Sequence, residues 1–234
     1  MPLETGDYIS DLVATNPPGT DNVSQGDDHL RLIKHVLKTT FPNINGPVTS
    51  TDEDLSNLSG GLPTVTTYTN PVTAQTHTFE VGRKWYKVIA SGGGGGSNLT
   101  SPGFAGGTCI KTAAITNPTA TYTVGAGGGN SADGEASTFD DGTVSLSAGG
   151  GPTGDDHSGI GSVQTGGDIN IQGGGPQSRG GGGDHAGGPS YWGGANGAPA
   201  PNQASGAYSS GGAYDQDTGN RSPGMPGIIV IEEY

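Results

Sequence analysis

The chain has one cysteine, few basic residues and no long apolar run. A single cysteine, Cys109, permits no intrachain disulfide. It reads as a small packing residue in a chain that needs no oxidising compartment to fold. Nine lysines and arginines stand against 22 acids, for a formal net charge of −13. That balance argues against nucleic acid and anionic membrane surfaces as partners. No stretch approaches the roughly 20 apolar residues that span a bilayer, so no membrane insertion is expected. The opening Met1-Pro2-Leu3-Glu4-Thr5 lacks the basic and apolar segments of a secretion signal. Hydrophobic residues make up only 29% of the 234 residues, which is little for a chain that must bury its own core. Oligomerisation is the simplest remedy.

What the chain does have is glycine. Seven of its 47 glycines precede residue 92 and the other 40 follow, many in runs such as 149–151, 173–175, 180–183 and 211–212. Glycine loses the most backbone entropy on folding, so such a region has a composition typical of disorder. Two features point to order instead. Tyr191, Trp192, Tyr208 and Tyr214 lie among the glycines, and Ile228-Ile229-Val230-Ile231 is a β-branched run unsuited to a solvated tail.

Taken in order, residues 1–24 are broken by Asn16-Pro17-Pro18-Gly19 and form no core alone. A helix of about four turns follows from Ser24 or Gly26. Asp27 and Asp28 fill its first turn, Lys34, His35 and Lys38 crowd its end, and Phe41-Pro42 stops it. Leu30, Ile33 and Leu37 share one face, with Val36 beside them. Either three copies bury this stripe around an axis, or neighbouring residues of the same chain cover it. Residues 51–58 suggest a capped helical turn, closed by Gly60-Gly61. Threonines dominate 64–78 and favour extended backbone. The expected division is an N-terminal region 1–62 with a short helix, a connector 63–83 and a glycine-rich β domain 84–234.

Within that last region, short strand-like runs repeatedly precede glycine runs. Residues 84–90 precede 92–96, 121–124 precede 125–129, 143–146 precede 149–151, and 169–171 precede 173–175. Alternation in Val144/Leu146 and Ile169/Ile171 predicts one inward face of an antiparallel sheet. Ile228–Ile231 needs a partner, and Trp85–Ile89 is the most apolar one available. The glycine runs have two possible states. They are either polyproline-II-like segments packed side by side or tight turns on a β scaffold, with turns slightly favoured. The absence of a Gly-X-Y period excludes a collagen helix.

The chemistry-bearing clusters are Asp140-Asp141, Asp155-Asp156-His157 and Asp184-His185. Adjacent aspartates in turns are usually turn formers, and no catalytic constellation emerges. The chain is therefore read as a non-enzyme. No cofactor is expected, and no spacing resembles an EF-hand, although such clusters can take a cation. The glycine strings are not phosphate loops, because no Gly-Lys-Ser/Thr follows them.

The N-terminal words Gly26-Asp27-Asp28-His29-Leu30-Arg31-Leu32-Ile33-Lys34, Phe41-Pro42-Asn43-Ile44 and Val48-Thr49-Ser50-Thr51 resemble the virion-attachment end of phage tail fibres. Tyr122-Thr123-Val124-Gly125-Ala126-Gly127-Gly128, the glycine islands and the ending Pro226-Gly227-Ile228-Ile229-Val230-Ile231-Glu232-Glu233-Tyr234 resemble the glycine-rich distal domain of such fibres. The resemblance implies an elongated homotrimer, made in the host cytoplasm and located on the virion tail. It also implies attachment to the tail or baseplate and binding of a host glycan or outer-membrane protein at the tip. No extended shaft separates the two ends, so the reach is short. The whole reading is a mainly β fold with glycine-rich loops, polyproline-II-like segments and a short N-terminal helical region. Leu30, Ile33 and Leu37 are the expected trimer interface. Tyr191, Trp192, Tyr208 and Tyr214 are the expected receptor contacts or, for at least half of them, core. A structural virion connector and a glycan-degrading tailspike are the alternatives.

Overall fold

The computed structural model describes residues 5–16, 25–43, 62–154, 163–177, 184–194 and 206–234. Contacts divide the chain into two units, Met1–Ser56 and Asn57–Tyr234.

In the first unit the 3–4 spacing yields α1 (Gly26–Thr40). Asp27 and Asp28 in its first turn and Lys38 in its last complement the helix dipole. Phe41 ends it, with its amide still donating to the Leu37 carbonyl at 3.0 Å. A short 3₁₀ turn, Ile9–Asp11, docks on α1. The Ile9 N–H donates to Thr40 Oγ1 at 3.2 Å, and His35 Nε2 meets Asp7 Oδ1 at 3.1 Å. This contact buries Val36 completely and leaves Leu30, Ile33 and Leu37 60%, 44% and 46% exposed. One residue turns the helix face by about 100°, so Val36 looks inward while the predicted stripe looks away. The helical turn expected at 51–58 lies outside the described residues.

The second unit is mainly β. Its strands are β1 (Thr64–Tyr68), β2 (Val72–Thr78), β3 (Trp85–Ser91), β4 (Thr108–Ala114), β5 (Thr119–Val124), β6 (Ser137–Asp140), β7 (Ser145–Ala148), β8 (Gln164–Thr165), β9 (Ile169–Ile171), β10 (Asp184–His185), β11 (Tyr214–Asp215) and β12 (Ile228–Glu233). One antiparallel sheet runs β1-β12-β3-β4-β9 and a second runs β2-β5-β6-β7-β8; β10 and β11 form a small ribbon. The predicted pairing of the Ile228 run with the Trp85 run is present, with Ile228 opposite Ser91 and Ile231 opposite Val88. The segment read as a connector supplies β1 to one sheet and β2 to the other, so its threonines build the sandwich.

The core lies between the sheets. Tyr86, Val88, Ala90, Cys109, Ile229 and Ile231 from the first pack against Ala120, Tyr122, Val124, Phe139, Leu146 and Ala148 from the second. Alternation in β5 and β7 gives this inward face, as period two requires. It fails for Ile169, which is 55% exposed. Strand β9 is a three-residue edge strand, and Ile169 lies opposite Ile110 on the sheet's other side.

Two buried polar links close the sandwich. Tyr86 O–H donates to Asp141 Oδ2 at 2.7 Å, joining one sheet to the β6–β7 turn. Burial raises the Asp141 pKa, but hydrogen bonds from Val144 N–H, Tyr86 and Thr143 outweigh it and hold the carboxyl below its usual range. At the end where β12 finishes, His77 Nδ1 lies 2.8 Å from Tyr68 Oη and its Nε2 lies 3.1 Å from Glu233 Oε1. The Glu80 N–H donates to Glu233 Oε2 at 2.7 Å. A neutral imidazole protonated on Nε2 satisfies every partner, its Nδ1 accepting a hydrogen bond from the Tyr68 hydroxyl and its Nε2–H donating to Glu233.

Beyond the sandwich the glycine runs around residues 92–96, 103–107, 125–129, 149–151, 173–175 and 211–212 are not turns. They are extended segments bonded to one another laterally. Gly92 and Gly95 donate to Gly107 and Phe104, Gly93 and Gly96 to Glu135 and Ala132, and Gly94 and Ser97 to Met225 and Ser222. Successive amides thus face three different neighbours, and every third residue returns to the same one. That is the period of a polyproline-II helix. The carbonyls of Gly93, Gly94 and Gly95 accept from Gly151, Gly128 and Gly212, three further segments. A second hub repeats the rule. Gly103 and Gly106 donate to Gly212 and Ser209, Phe104 and Gly107 to Pro152 and Gly149, and Ala105 to Gly174. A Cβ built on any glycine from 92 to 96 would fall under 3.0 Å from a backbone carbonyl.

Two outcomes follow for stability. Gly94→Ala forces a methyl into the Ser210 carbonyl, which cannot swing aside, whereas Gly129 has nothing within 4 Å of an added Cβ. Thermal or denaturant unfolding should show Gly94→Ala losing about 3 kcal/mol or more and Gly129→Ala staying within about 1 kcal/mol of wild type. Burial holds the His77 pKa below its ordinary value of 6.5, against the opposing pull of Glu233. Protonation therefore favours the unfolded chain: this contribution is present above pH 6.5 and is lost as pH falls through the lowered folded value. Melting temperature should drop over that interval, and His77→Gln should flatten the drop.

Candidate functional site

Three strands lead directly into glycine segments, and three others are entered from them. Strand β3 leads into 92–98, β5 into 125–129 and β7 into 149–153, while 101–107, 132–136 and 221–227 return to β4, β6 and β12. The segments therefore share a sheet-side end and a far end. Gly92, Gly107, Gly149 and Ser209 meet at the sheet side, and Ser97, Ser101, Ser131 and Ser222 mark the far end. The reversals Asn98–Ser101, Asn130–Ser131 and Asp215–Asn220 all fall at the far end. Their backbones are held by side-chain bonds. Asn98 Oδ1 accepts from the amides of Thr100 and Ser101 at 2.8 and 2.7 Å, and Asp215 Oδ1 accepts from those of Asp217 and Thr218 at 2.9 and 3.2 Å. Hydrogen bonds from Thr218 Oγ1 and these amides hold the Asp215 pKa below its usual value.

The four aromatics read from the sequence as one group are divided between the two ends. Trp192 is a plug at the sheet side. It packs against the cluster of Ile89, Ile228 and Val230, as Ile110 also does, and its Nε1 donates to Ser91 Oγ at 2.9 Å. Tyr191, 47% exposed, leans edge-on against that indole. Tyr208, 37% exposed, lies beside them, its carbonyl accepting from Ser190 Oγ at 2.6 Å. Only Tyr214 belongs to the far end. It is buried and lies parallel to the His185 ring at a centroid distance of 6.1 Å.

The far end also holds a cleft of about 280 Å³ lined by Thr100, Ser101, Pro102, Phe104, Gly154, Pro176 and His185. Sequence reading passed over Phe104, although it meets the test applied to the other aromatics, being flanked by Gly103 on one side and Ala105-Gly106-Gly107 on the other. His185 Nε2 lies 3.4 Å from Gln216 Oε1. A wider hollow of about 830 Å³ lies in the first unit, bordered by Asp7, Asp11, Asp28, Arg31 and His35. Its charges satisfy one another: Arg31 pairs with Asp27 at 2.9 Å, His35 with Asp7, and Asp11 accepts from the Asp7 and Tyr8 amides. We take the smaller cleft as the better site, because it is less open than the hollow and joins apolar with polar residues.

Of the acidic clusters, Asp140 and Asp141 shape the β6–β7 turn by accepting from Gly142, Thr143 and Val144 amides. Asp155-Asp156-His157 lies outside the described residues. Among the described residues no three His, Cys, Asp or Glu side chains converge as a metal site, and no helix is long and apolar enough to cross a membrane. No protein-family model matches the chain, and no curated protein sequence matches it.

The split of the aromatics has a measurable result. Trp192→Ala removes a packed ring and an indole hydrogen bond, so unfolding should show a loss of about 2–4 kcal/mol. Tyr191→Ala should change stability by about 0.5 kcal/mol or less.

Proposed function

We propose that this chain is a phage tail-fibre protein whose first unit joins the virion and whose glycine-rich unit binds a host surface receptor. The observation that carries the reading is the arrangement of the second unit. A packed β-sandwich feeds a bundle of laterally bonded segments, and the bundle delivers several reversals to one end. Recognition favours loops set on a rigid scaffold, because their side chains vary without disturbing the packing. The contact face under this reading is the far end, formed by Asn98–Ser101, Pro176, His185 and Asp215–Asn220. Tyr191 and Tyr208, on the sheet side, are a secondary surface.

The attachment role rests on the first unit. Its small core buries Val36 and leaves Leu30, Ile33 and Leu37 open. Three parallel copies of α1 would cover that stripe, which supports a homotrimer. A tail or baseplate protein is the expected partner of the same unit, and a host glycan or outer-membrane protein that of the other.

The test uses the purified full chain. Light scattering should give the mass of a trimer, and Leu30→Asp combined with Ile33→Asp should lower it to a monomer while leaving the β unit folded. The labelled trimer should bind saturably to some strains in a panel of bacteria. A folded protein that is monomeric at micromolar concentration overturns the trimer. One that binds no strain overturns receptor recognition and favours the connector role.

A further inference from the structure

We propose that the far-end cleft binds one neutral sugar ring of a surface glycan. The proposal rests on the receptor-binding reading above and names its ligand class. The cleft is lined by Phe104, Pro102 and Pro176, with Thr100, Ser101 and His185 among them. Such a lining suits a pyranose, which presents a C–H face to an aromatic or proline surface and hydroxyls around its edge. Among the described residues no lysine, arginine, aspartate or glutamate lines it. An acidic sugar or a phosphate would find no lysine or arginine among these residues, and the protein's net charge of −13 would oppose its approach. At about 280 Å³ the cleft is no larger than the low end of small-molecule pockets, a size for one ring rather than a length of polypeptide.

The site is also held in place before any ligand arrives. The Phe104 carbonyl accepts from Gly95 at 2.9 Å and its amide donates to Pro152 at 3.0 Å. A Cβ on Gly175 would meet the Phe104 ring at 3.4 Å, an ordinary contact distance, which places the ring beside that segment. Gly154 packs more closely, and a Cβ there would fall under 3.0 Å from the Ser101 and Pro102 carbonyls. Walls fixed by backbone bonds lose little freedom on binding. His185 is braced by Tyr214 on one face and Gln216 at its Nε2. Asn98, at the base of the turn that carries Thr100 and Ser101, is 2% exposed and its Nδ2 has no hydrogen-bond partner. Buried donors are rarely left unpaired, and this one belongs to the residue that holds the Thr100–Ser101 turn.

The test is saturation-transfer NMR on the full chain with free glucose, galactose, mannose and N-acetylglucosamine at millimolar concentration. Glucuronic and sialic acids serve as acidic controls. At least one neutral sugar should receive saturation and the acids none. Ser101→Trp, which fills the cleft, should abolish the transfer with melting unchanged. Phe104→Ala should weaken binding about tenfold, and His185→Ala should weaken it if Ser101→Trp does not fold. The proposal is overturned if no neutral sugar is saturated, or if folded Ser101→Trp and His185→Ala both leave transfer intact. Saturable binding to bacteria without sugar transfer would remove the cleft and keep the receptor-binding reading. Sugar transfer without binding to any strain would do the reverse.

Discussion

The lateral bond between one glycine amide and the carbonyl of a neighbouring segment is what the second unit depends on. Each such bond contributes about 1 kcal/mol net, but leaving the group buried and unpaired costs more. The bundle forms because backbones approach closely enough for these bonds, and they approach because no Cβ intervenes. Along Gly92–Gly96 the glycines are not there for left-handed φ angles, which belong instead to positions such as Gly82, Gly142 and Gly219. They are there for lack of a side chain. A region with almost no apolar side chains is thereby ordered by hydrogen bonds and contact between main chains.

The sandwich and the bundle depend on each other. Strand pairing in the two sheets sets the spacing and direction of the segments that leave them. The parallel and antiparallel neighbours around Gly92–Ser97 follow from which strands run outward and which return. At the junction, Ser91 ties the two together. Its carbonyl accepts from Ser137 Oγ at 2.7 Å, and its hydroxyl meets both Thr108 Oγ1 and Trp192 Nε1. Trp192 is better understood as part of this joint than as a surface anchor.

Much of the fold was legible in local pattern. Charges and spacing gave α1, β-branched runs gave β3 and β12 and their pairing, and strand-then-glycine repeats marked where the sandwich hands over to the bundle. What local pattern missed has physical causes. Threonine-rich 64–78 reads as extended but carries no sign of which partner it pairs with, so two strands looked like a connector. Ile169 and Ile171 alternate as an inward face would, yet an edge strand three residues long has a far side that apolar residues also occupy. A glycine run reads equally as turn or bundle, because the choice rests on bonds between segments distant in sequence. For the same reason the aromatics could not be sorted. Whether Tyr214 or Trp192 lies near a given end depends on segment direction, which only the pairing fixes.

The position of β12 has a consequence for how the chain comes to be folded. It is the last strand in chain order, yet it lies between β1 and β3 rather than at an edge. During synthesis β1 and β3 are made early and cannot be joined until residues 228–233 leave the ribosome. Until then the β3 backbone groups that later meet β12 are an open template for other chains. The glycine segments wait as well, because 222–227 supplies acceptors to Gly94 and Ser97. Folding is therefore gated by the arrival of one strand and is dominated by contacts between residues far apart in sequence, the regime in which folding is slow and misassembly competes.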